Sequence, residues 1–216
     1  MSRMAPTKKP AAKKKTASPP TGKPAAKKKT ALRAAATAKT KTTPPSPRPR
    51  KKREIYFEGH KRKFLVVVDE TPECDRALAF AASRAKRTKG RLALLYVIEP
   101  EGEALHWLGI EDVAREEGLS KAKAVFRLFG RKLKTMGFEE LIPEEIVREG
   151  SKADEITKAI EEDPDIGVLV LGASKDPSGP GPLVSSLAGG KLAGSFPVPM
   201  TVVPGHLTTD EILALA

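Results

Sequence analysis

The chain has 216 residues, enough for one ordinary domain and a flanking segment. Residues 1–53 hold 18 Lys and Arg and no Asp or Glu, whereas residues 54–216 hold 21 basic and 27 acidic residues. The net charge of +12 therefore describes neither part. No apolar run approaches the roughly 20 residues of a membrane-spanning helix, so we expect no membrane partner. The single cysteine, Cys74, cannot form an internal disulfide, which fits a reducing compartment and predicts a cytoplasmic protein.

The composition of residues 1–59 predicts a disordered basic tail rich in Lys, Ala and Pro. The sequence Lys-Pro-Ala-Ala-Lys-Lys-Lys-Thr-Ala occurs at 9–17 and again at 23–31. Large apolar residues are too few to offset the ordering of the backbone, which costs about 1–2 kcal/mol per residue. The tail is similar in composition to those of linker histones and bacterial histone-like proteins.

Such a tail would neutralise phosphates without reading sequence, so nucleic acid is one predicted partner of residues 1–53. Nucleoid association would then be a second location. The alternative is a segment that only solubilises the protein or adheres to any polyanion. An anionic membrane surface is less favoured, because no apolar anchor accompanies the charge.

The first half of the remaining chain predicts strands and helices in alternation. Apolar runs without alternation indicate strands that are buried on both faces, and apolar residues at steps of three and four indicate helices. The predicted elements are a strand at 64–68, a helix at 72–88, a strand at 92–98, a loop at 100–110 and a helix at 111–136.

The second half continues the same alternation. The predicted elements are a strand at 144–147, a helix from 151 to 163, a strand at 166–171, a Gly/Pro/Ser loop at 172–182, a helix at 183–193 and a strand at 198–203. Ser151 and Asp154 suit a capping box at the start of the first of these helices.

Strands alternating with helices predict an α/β fold: a doubly wound, mainly parallel sheet with helices on both faces. Ligands of such sheets bind outside the carboxyl ends of the strands, where the strand order reverses. This rule places a candidate site near Asp69, Val97 and Gly172, which follow or end the first, second and fourth strands.

Three blocks of the sequence resemble the universal stress protein family over residues 60–205. They are Lys-Phe-Leu-Val-Val-Val-Asp at 63–69, Leu-Leu-Tyr-Val at 94–97, and a closing block with Val-Leu-Val-Leu-Gly-Ala-Ser at 168–174 and Phe-Pro-Val-Pro-Met-Thr-Val-Val-Pro at 196–204. The resemblance implies a five-stranded sheet in the order 3-2-1-4-5, with residues 206–216 as a C-terminal segment. It also implies a homodimer paired through strand 198–203.

Nucleotide-binding members of that family carry Gly, two residues, Gly, nine residues, Gly, then Ser or Thr. Laid on this chain, the four positions are Gly172, Lys175, Ser185 and Ser186, so two of them depart from the pattern. Glycines allow backbone N–H groups to approach phosphates, and Lys175 and Ser185 remove that freedom. The lysine charge and the two hydroxyls could still attract an anion. ATP or another adenine nucleotide is therefore a candidate ligand held by a degenerate loop.

Two further positions follow from the resemblance. Asp69 matches the family position that contacts the sugar and base of the nucleotide, and Val97 matches an adenine-side position. The alternative for Asp69 is a loop carboxylate that only complements the positive end of the next helix.

Other residues give little support for a catalytic or metal site. His60, His106 and His206 lack the spacing of metal ligands, Cys74 suits a packed thiol, and Trp107 suits packing under a loop. Because no nucleophile is paired with a base, we expect no enzyme, or at most a weak ATPase. The sequence thus predicts a dimeric stress-response module that binds an adenine nucleotide, or a nucleic-acid-associated protein whose tail binds DNA or RNA.

Overall fold

The computed structural model describes residues 52–53, 55, 57–100, 111–190 and 193–216. Strands and helices alternate along this part of the chain, as predicted. They are β1 Lys63–Val67, α1 Glu73–Thr88, β2 Arg91–Ile98, α2 Glu111–Thr135, β3 Glu144–Glu149, α3 Lys152–Glu162, β4 Ile166–Gly172, α4 Pro182–Leu187, β5 Met200–Val203 and α5 Thr209–Leu215. No helix within the described ranges is long and apolar enough to cross a membrane.

The five strands form one sheet in the order β3-β2-β1-β4-β5, and every neighbouring pair is parallel. The predicted fold class and strand order are therefore confirmed. The central strand β1 is buried along its whole length. Its side chains alternate between two cores: Phe64 and Val66 pack on the side of α1 and α2, while Leu65 and Val67 pack on the side of α3 and α4. An unbroken apolar run suits this strand because both of its faces are covered.

The boundaries of three predicted elements are wrong. The helix predicted at 183–193 ends at Leu187, because Gly189 and Gly190 follow at once and glycine is a poor helix former. The strand predicted at 198–203 begins at Met200, after Pro199, which has no N–H and contributes only its carbonyl to Leu169. The strand predicted at 144–147 continues to Glu149, because its pairing with β2 continues to Ile98.

Helix α5 was not predicted, although the sequence carries its signal. Thr208 and Glu211 form a capping box: the Thr208 side chain accepts from the Glu211 N–H, and the Glu211 side chain accepts from the Thr208 N–H. Ile212 is 1% exposed and belongs to the same core cluster as α1. The segment 206–216 is therefore a packed part of the domain.

Ordered contacts begin before residue 60, the predicted start of the domain. The Arg53 guanidinium donates to the carbonyl oxygens of Ile160 at 2.7 Å, Asp163 at 3.0 Å and Ile166 at 2.7 Å. These carbonyls lie at the end of α3 and the start of β4, at the edge of the sheet where its strands begin. Disorder was predicted for residues 1–59; the contacts of Arg53 contradict it at that position, whereas residues 1–51, 54 and 56 lie outside the described residues.

Candidate functional site at the carboxyl edge of the sheet

A cleft of about 480 Å³ lies at the carboxyl edge of the sheet. It is bounded by the segments that follow β1, β2 and β4 and by the first residues of α3 and α4. The strand order reverses between β1 and β4, so the cleft lies where an open parallel sheet binds its ligands. The polar side chains that line it are Asp69, Thr71, Glu73, Cys74, Glu99, Ser151, Lys152, Ser174 and Ser186.

Asp69 is held in place by three donors that all reach the same oxygen. Its Oδ1 accepts from the Thr71 N–H at 2.8 Å, from Thr71 Oγ1 at 2.5 Å and from Cys74 Sγ at 3.1 Å. The Thr71 hydroxyl is directed to Asp69 and does not cap α1, whose N-cap position is taken by Pro72. The orientation of the carboxylate is therefore determined by the turn between β1 and α1.

The second oxygen of Asp69 makes no hydrogen bond within the described part of the chain, and the nearest cation to it is Lys152 Nζ at 3.9 Å. Burial by itself would raise the pKa of Asp69. The hydrogen bonds from Thr71 and Cys74, with the Lys152 charge, outweigh burial and hold the pKa below its usual value of 3.8. Asp69 is thus an ionised carboxylate at neutral pH with Oδ2 available to a donor in the cleft.

Cys74 contributes a hydrogen bond and no reactivity. Burial, together with the negative charge of Asp69, raises the pKa of the thiol to about 12. Since the thiolate is the nucleophilic form, this cysteine is inert at neutral pH. The prediction of a packed thiol is confirmed.

The first residues of α3 form the opposite wall of the cleft, and sequence reasoning did not assign them to the site. Ser151 occupies the N-cap position, but its hydroxyl makes no capping bond, so the predicted capping box with Asp154 is not formed. Lys152 pairs with Glu99 at 3.2 Å. A Ser-Lys pair directly after a strand at the carboxyl edge was the signal that could have identified this wall.

The loop between β4 and α4 is shaped by glycines. Gly179 and Gly181 have φ of +148° and +96°, a region that other residues rarely adopt. The Ser174 N–H donates to the Pro180 carbonyl at 3.0 Å and closes the loop. The positive φ angles of these two glycines set the path of the loop.

The universal stress protein family matches residues 61–204 of the chain, two thirds of its length. The chain belongs to this family. No curated protein sequence matches the chain.

Two solved structures share the fold of this family member, and a third is similar to it at a lower score. UspA from Lactobacillus plantarum is 18% identical with a TM-score of 0.50, and the match covers 66% of this chain and 97% of that one. Hypothetical protein MJ0577 is 16% identical with a TM-score of 0.50, covering 68% of this chain and 99% of that one. The universal stress protein from Archaeoglobus fulgidus in complex with dAMP is 18% identical with a TM-score of 0.45, covering 66% and 97%.

Of the six site residues predicted for this universal stress protein, three line the cleft and three do not. Asp69, Gly172 and Ser186 line the cleft. Lys175 and Ser185, the two departures from the family pattern, are exposed and are not among the lining residues.

The Val97 side chain lies in the core, and the Ser186 hydroxyl is bonded to the backbone. Val97 is 5% exposed and packs in the core on the side of α3, and it is likewise not among the lining residues. Ser186 Oγ donates to the Leu183 carbonyl at 3.0 Å, so the hydroxyl keeps its acceptor function for a ligand.

No group of three metal-binding side chains occurs among the residues that the structure describes. His60 Nδ1 lies 2.5 Å from Asp165 Oδ1, at the edge of the sheet away from the cleft. His206 is exposed, and the predictions for His106 and Trp107 fall on residues outside the described ranges.

Proposed function

We propose that this universal stress protein is a regulatory module that binds an adenine nucleotide in the cleft. The observation that carries the proposal is the state of Asp69: an ionised carboxylate with one oxygen fixed by Thr71 and Cys74 and the other free within the described residues. A carboxylate in this position can accept hydrogen bonds from the two vicinal hydroxyls of a ribose. The family resemblance assigns the same role to this position.

The charges of the side chains that line the cleft favour a ligand with few phosphates. Of the described residues that line it, Lys152 is the one cation, whereas Asp69, Glu73 and Glu99 are carboxylates. Lys152 is itself paired with Glu99. A triphosphate would meet net repulsion at such a site. We therefore expect AMP to bind at least as tightly as ATP when no Mg²⁺ is present.

Replacing Asp69→Asn should weaken nucleotide binding by more than tenfold, since a hydrogen bond to a charged group contributes about 1.5–3 kcal/mol. The amide would still satisfy Thr71 and Cys74 through its oxygen, but it would present an NH₂ group where the ribose needs an acceptor. Isothermal titration of the full chain with AMP and with ATP measures the change.

Asp210→Asn is the matched control, because Asp210 lies in the first turn of α5 and is not part of the cleft. It should leave the affinity unchanged. A wild-type affinity weaker than millimolar for every adenine nucleotide, or equal affinities for the Asp69 variant and the wild type, would end the proposal.

We further propose that the protein binds nucleotide without robust turnover and is at most a weak ATPase. Two features support this. The Cys74 thiol is protonated at neutral pH, and the Ser186 hydroxyl donates to a backbone carbonyl instead of to a general base.

Pairing of two copies through β5 is proposed as the route to a homodimer. Strand β5 is an edge of the sheet, and Val202 on it is 37% exposed. We expect Val202→Lys to shift the protein from dimer to monomer in size-exclusion chromatography with light scattering. Ile142→Lys, at a 90% exposed position next to the opposite edge strand β3, should not.

A second candidate function is nucleic-acid association through the basic tail. The observation that favours it is the composition of residues 1–53, which hold 18 basic and no acidic side chains. Such binding would be independent of sequence and would weaken steeply with salt.

A further inference from the structure

The basic residues of the folded domain are concentrated in two segments of the sequence. Twelve of the 21 basic residues in 54–216 lie in segments 76–98 and 118–138, which contain no Asp or Glu. The rest of 54–216 holds 9 basic and 27 acidic residues. The two segments include most of α1 and the C-terminal part of α2, which pack in the core on one side of the sheet. The acidic net charge of the domain therefore hides a basic face.

Four cations on this face form what we call the α2 stripe: Lys123, Arg127, Arg131 and Lys134. They are spaced by four, four and three residues, so they lie along one side of the helix. All four are exposed, while Phe129 and its neighbours on the other side are buried. At 1.5 Å per residue the stripe is about 16 Å long. This length matches about five base pairs of duplex DNA.

None of the four stripe cations forms an ion pair with any residue that the structure describes. Cations elsewhere on the domain do: Arg115, at the start of the same helix, pairs with Glu149 at 2.7 Å, and Lys158 pairs with Glu155 at 2.5 Å. Like charges four residues apart destabilise a helix. A stripe of cations that have no carboxylate partner in the described part of the chain is thus unfavourable for folding by itself and is relieved by an anionic partner.

The helix dipole accounts for only one end of the stripe. Cations in the last turn of a helix are stabilised by the partial negative charge of its carbonyls, which covers Lys134. The effect falls off within that turn. Lys123 and Arg127 lie two to three turns before the end of α2 at Thr135, so the dipole does not explain them.

The C-terminal ends of α1 and α2 adjoin, which widens the basic face. Lys86 Nζ donates to the Gly137 carbonyl at 3.3 Å, just beyond α2. Lys132 instead pairs with Asp75, which lies in the first turn of α1. The exposed cations Lys89 and Arg91 follow α1.

We propose that the α2 stripe binds the phosphate backbone of duplex nucleic acid, independently of base sequence. The spacing and exposure of its cations fit a linear array of phosphates. A helix that binds a lipid surface inserts apolar side chains, whereas Leu128, 38% exposed, is the single exposed large apolar residue between 118 and 138. The stripe is part of the folded domain. Its contacts with phosphates would therefore strengthen any binding of DNA by the tail of the same chain.

The test is fluorescence anisotropy of the full chain with a labelled 20-base-pair duplex, between 50 and 200 mM salt. A triple variant, Lys123→Gln, Arg127→Gln and Arg131→Gln, removes three phosphate contacts. We expect the slope of log affinity against log salt to fall by about 2.7, since each contact contributes about 0.9. Affinity should fall at least tenfold at the lowest salt.

The control variant, Lys61→Gln, Arg115→Gln and Arg148→Gln, removes the same charge away from the stripe and should keep the wild-type slope. A charge-retaining variant, Lys123→Arg, Arg127→Lys and Arg131→Lys, should restore binding, and circular dichroism checks that each variant is folded. If the triple variant does not fold, Arg127→Gln alone should lower the slope by about 0.9. Equal slopes for the stripe and control variants would overturn the proposal.

Two further arms distinguish the α2 stripe from a membrane-binding face and from the nucleotide cleft. Vesicles of phosphatidylserine and phosphatidylcholine replace the DNA in the first arm, and stripe-dependent vesicle binding with stripe-independent DNA binding would overturn the proposal. In the second arm, Asp69→Asn should leave DNA affinity unchanged, because none of the four stripe residues lines the cleft. Failure of nucleotide binding and failure of the stripe are therefore distinguishable.

Discussion

Replacing Gly172→Ala should lower the free energy of unfolding by about 3 kcal/mol, because the added methyl group has no space. A Cβ at this position would lie 2.1 Å from the Glu73 carbonyl oxygen and 2.7 Å from its carbonyl carbon. Both atoms are backbone, so the start of α1 would have to move away from the end of β4. Urea denaturation of the two proteins measures the difference.

Gly130→Ala provides the control, since a Cβ there meets nothing within 4 Å and the residue lies inside α2. This variant should be more stable than the wild type by about 0.5–1 kcal/mol, because alanine favours the helix over glycine. A Gly172 variant as stable as the wild type would show that this glycine is not required for packing. Nucleotide affinity of that variant would then decide whether it is required for the approach of a ligand.

Replacing Lys63→Met should lower the free energy of unfolding by about 2–3 kcal/mol, because it leaves two carboxylates without their partner. Lys63 Nζ lies 2.7 Å from both Glu144 Oε2 and Asp163 Oδ2, and its side chain is 10% exposed. The partners are more exposed, so the effect should be smaller than that of a fully buried pair. Arg115→Ala, which breaks an exposed pair, should cost less than about 1 kcal/mol.

The pH dependence of this difference has a definite sign. Burial would lower the pKa of Lys63, but the hydrogen bonds to Asp163 and Glu144 outweigh it and raise the pKa above 10.5. A raised pKa means that the stabilising contribution is complete below about 10.5 and is lost as the pH rises through the folded-state value. The difference between Lys63→Met and the wild type should therefore stay constant from pH 7 to about 10 and shrink above it. A difference that shrank below pH 10 would contradict the assignment.

Local sequence patterns were sufficient for the architecture. The uninterrupted apolar run at 64–68 predicted a strand covered on both faces, and the steps of three and four through Phe126 and Phe129 predicted α2. These patterns work because burial of a whole face is repeated over many residues and does not depend on one neighbour. Errors fell where single residues decide an end, as at Gly189 and Pro199, and at the short helix α5, whose capping box was not recognised.

The binding site was only half predictable. Asp69 and Gly172 could be placed because strand ends converge at one edge of a parallel sheet. Lys152 was missed because it lies 83 residues along the chain from Asp69 and is brought to 3.9 Å only by the crossover from β3 to α3. The exposure of Lys175 and Ser185 could not be predicted from the sequence either. The path of the loop depends on the positive φ angles of Gly179 and Gly181.

The sequence by itself determined the family, the order of the elements and the contrast between a basic segment and an acidic one, because each is a property of composition or of short periodic patterns. Only the tertiary structure decided which oxygen of Asp69 is left without a hydrogen bond from the described residues, and that Lys86 at the end of α1 lies against the segment that follows α2. Both depend on distances between residues that are far apart in the chain, and local patterns do not encode such distances.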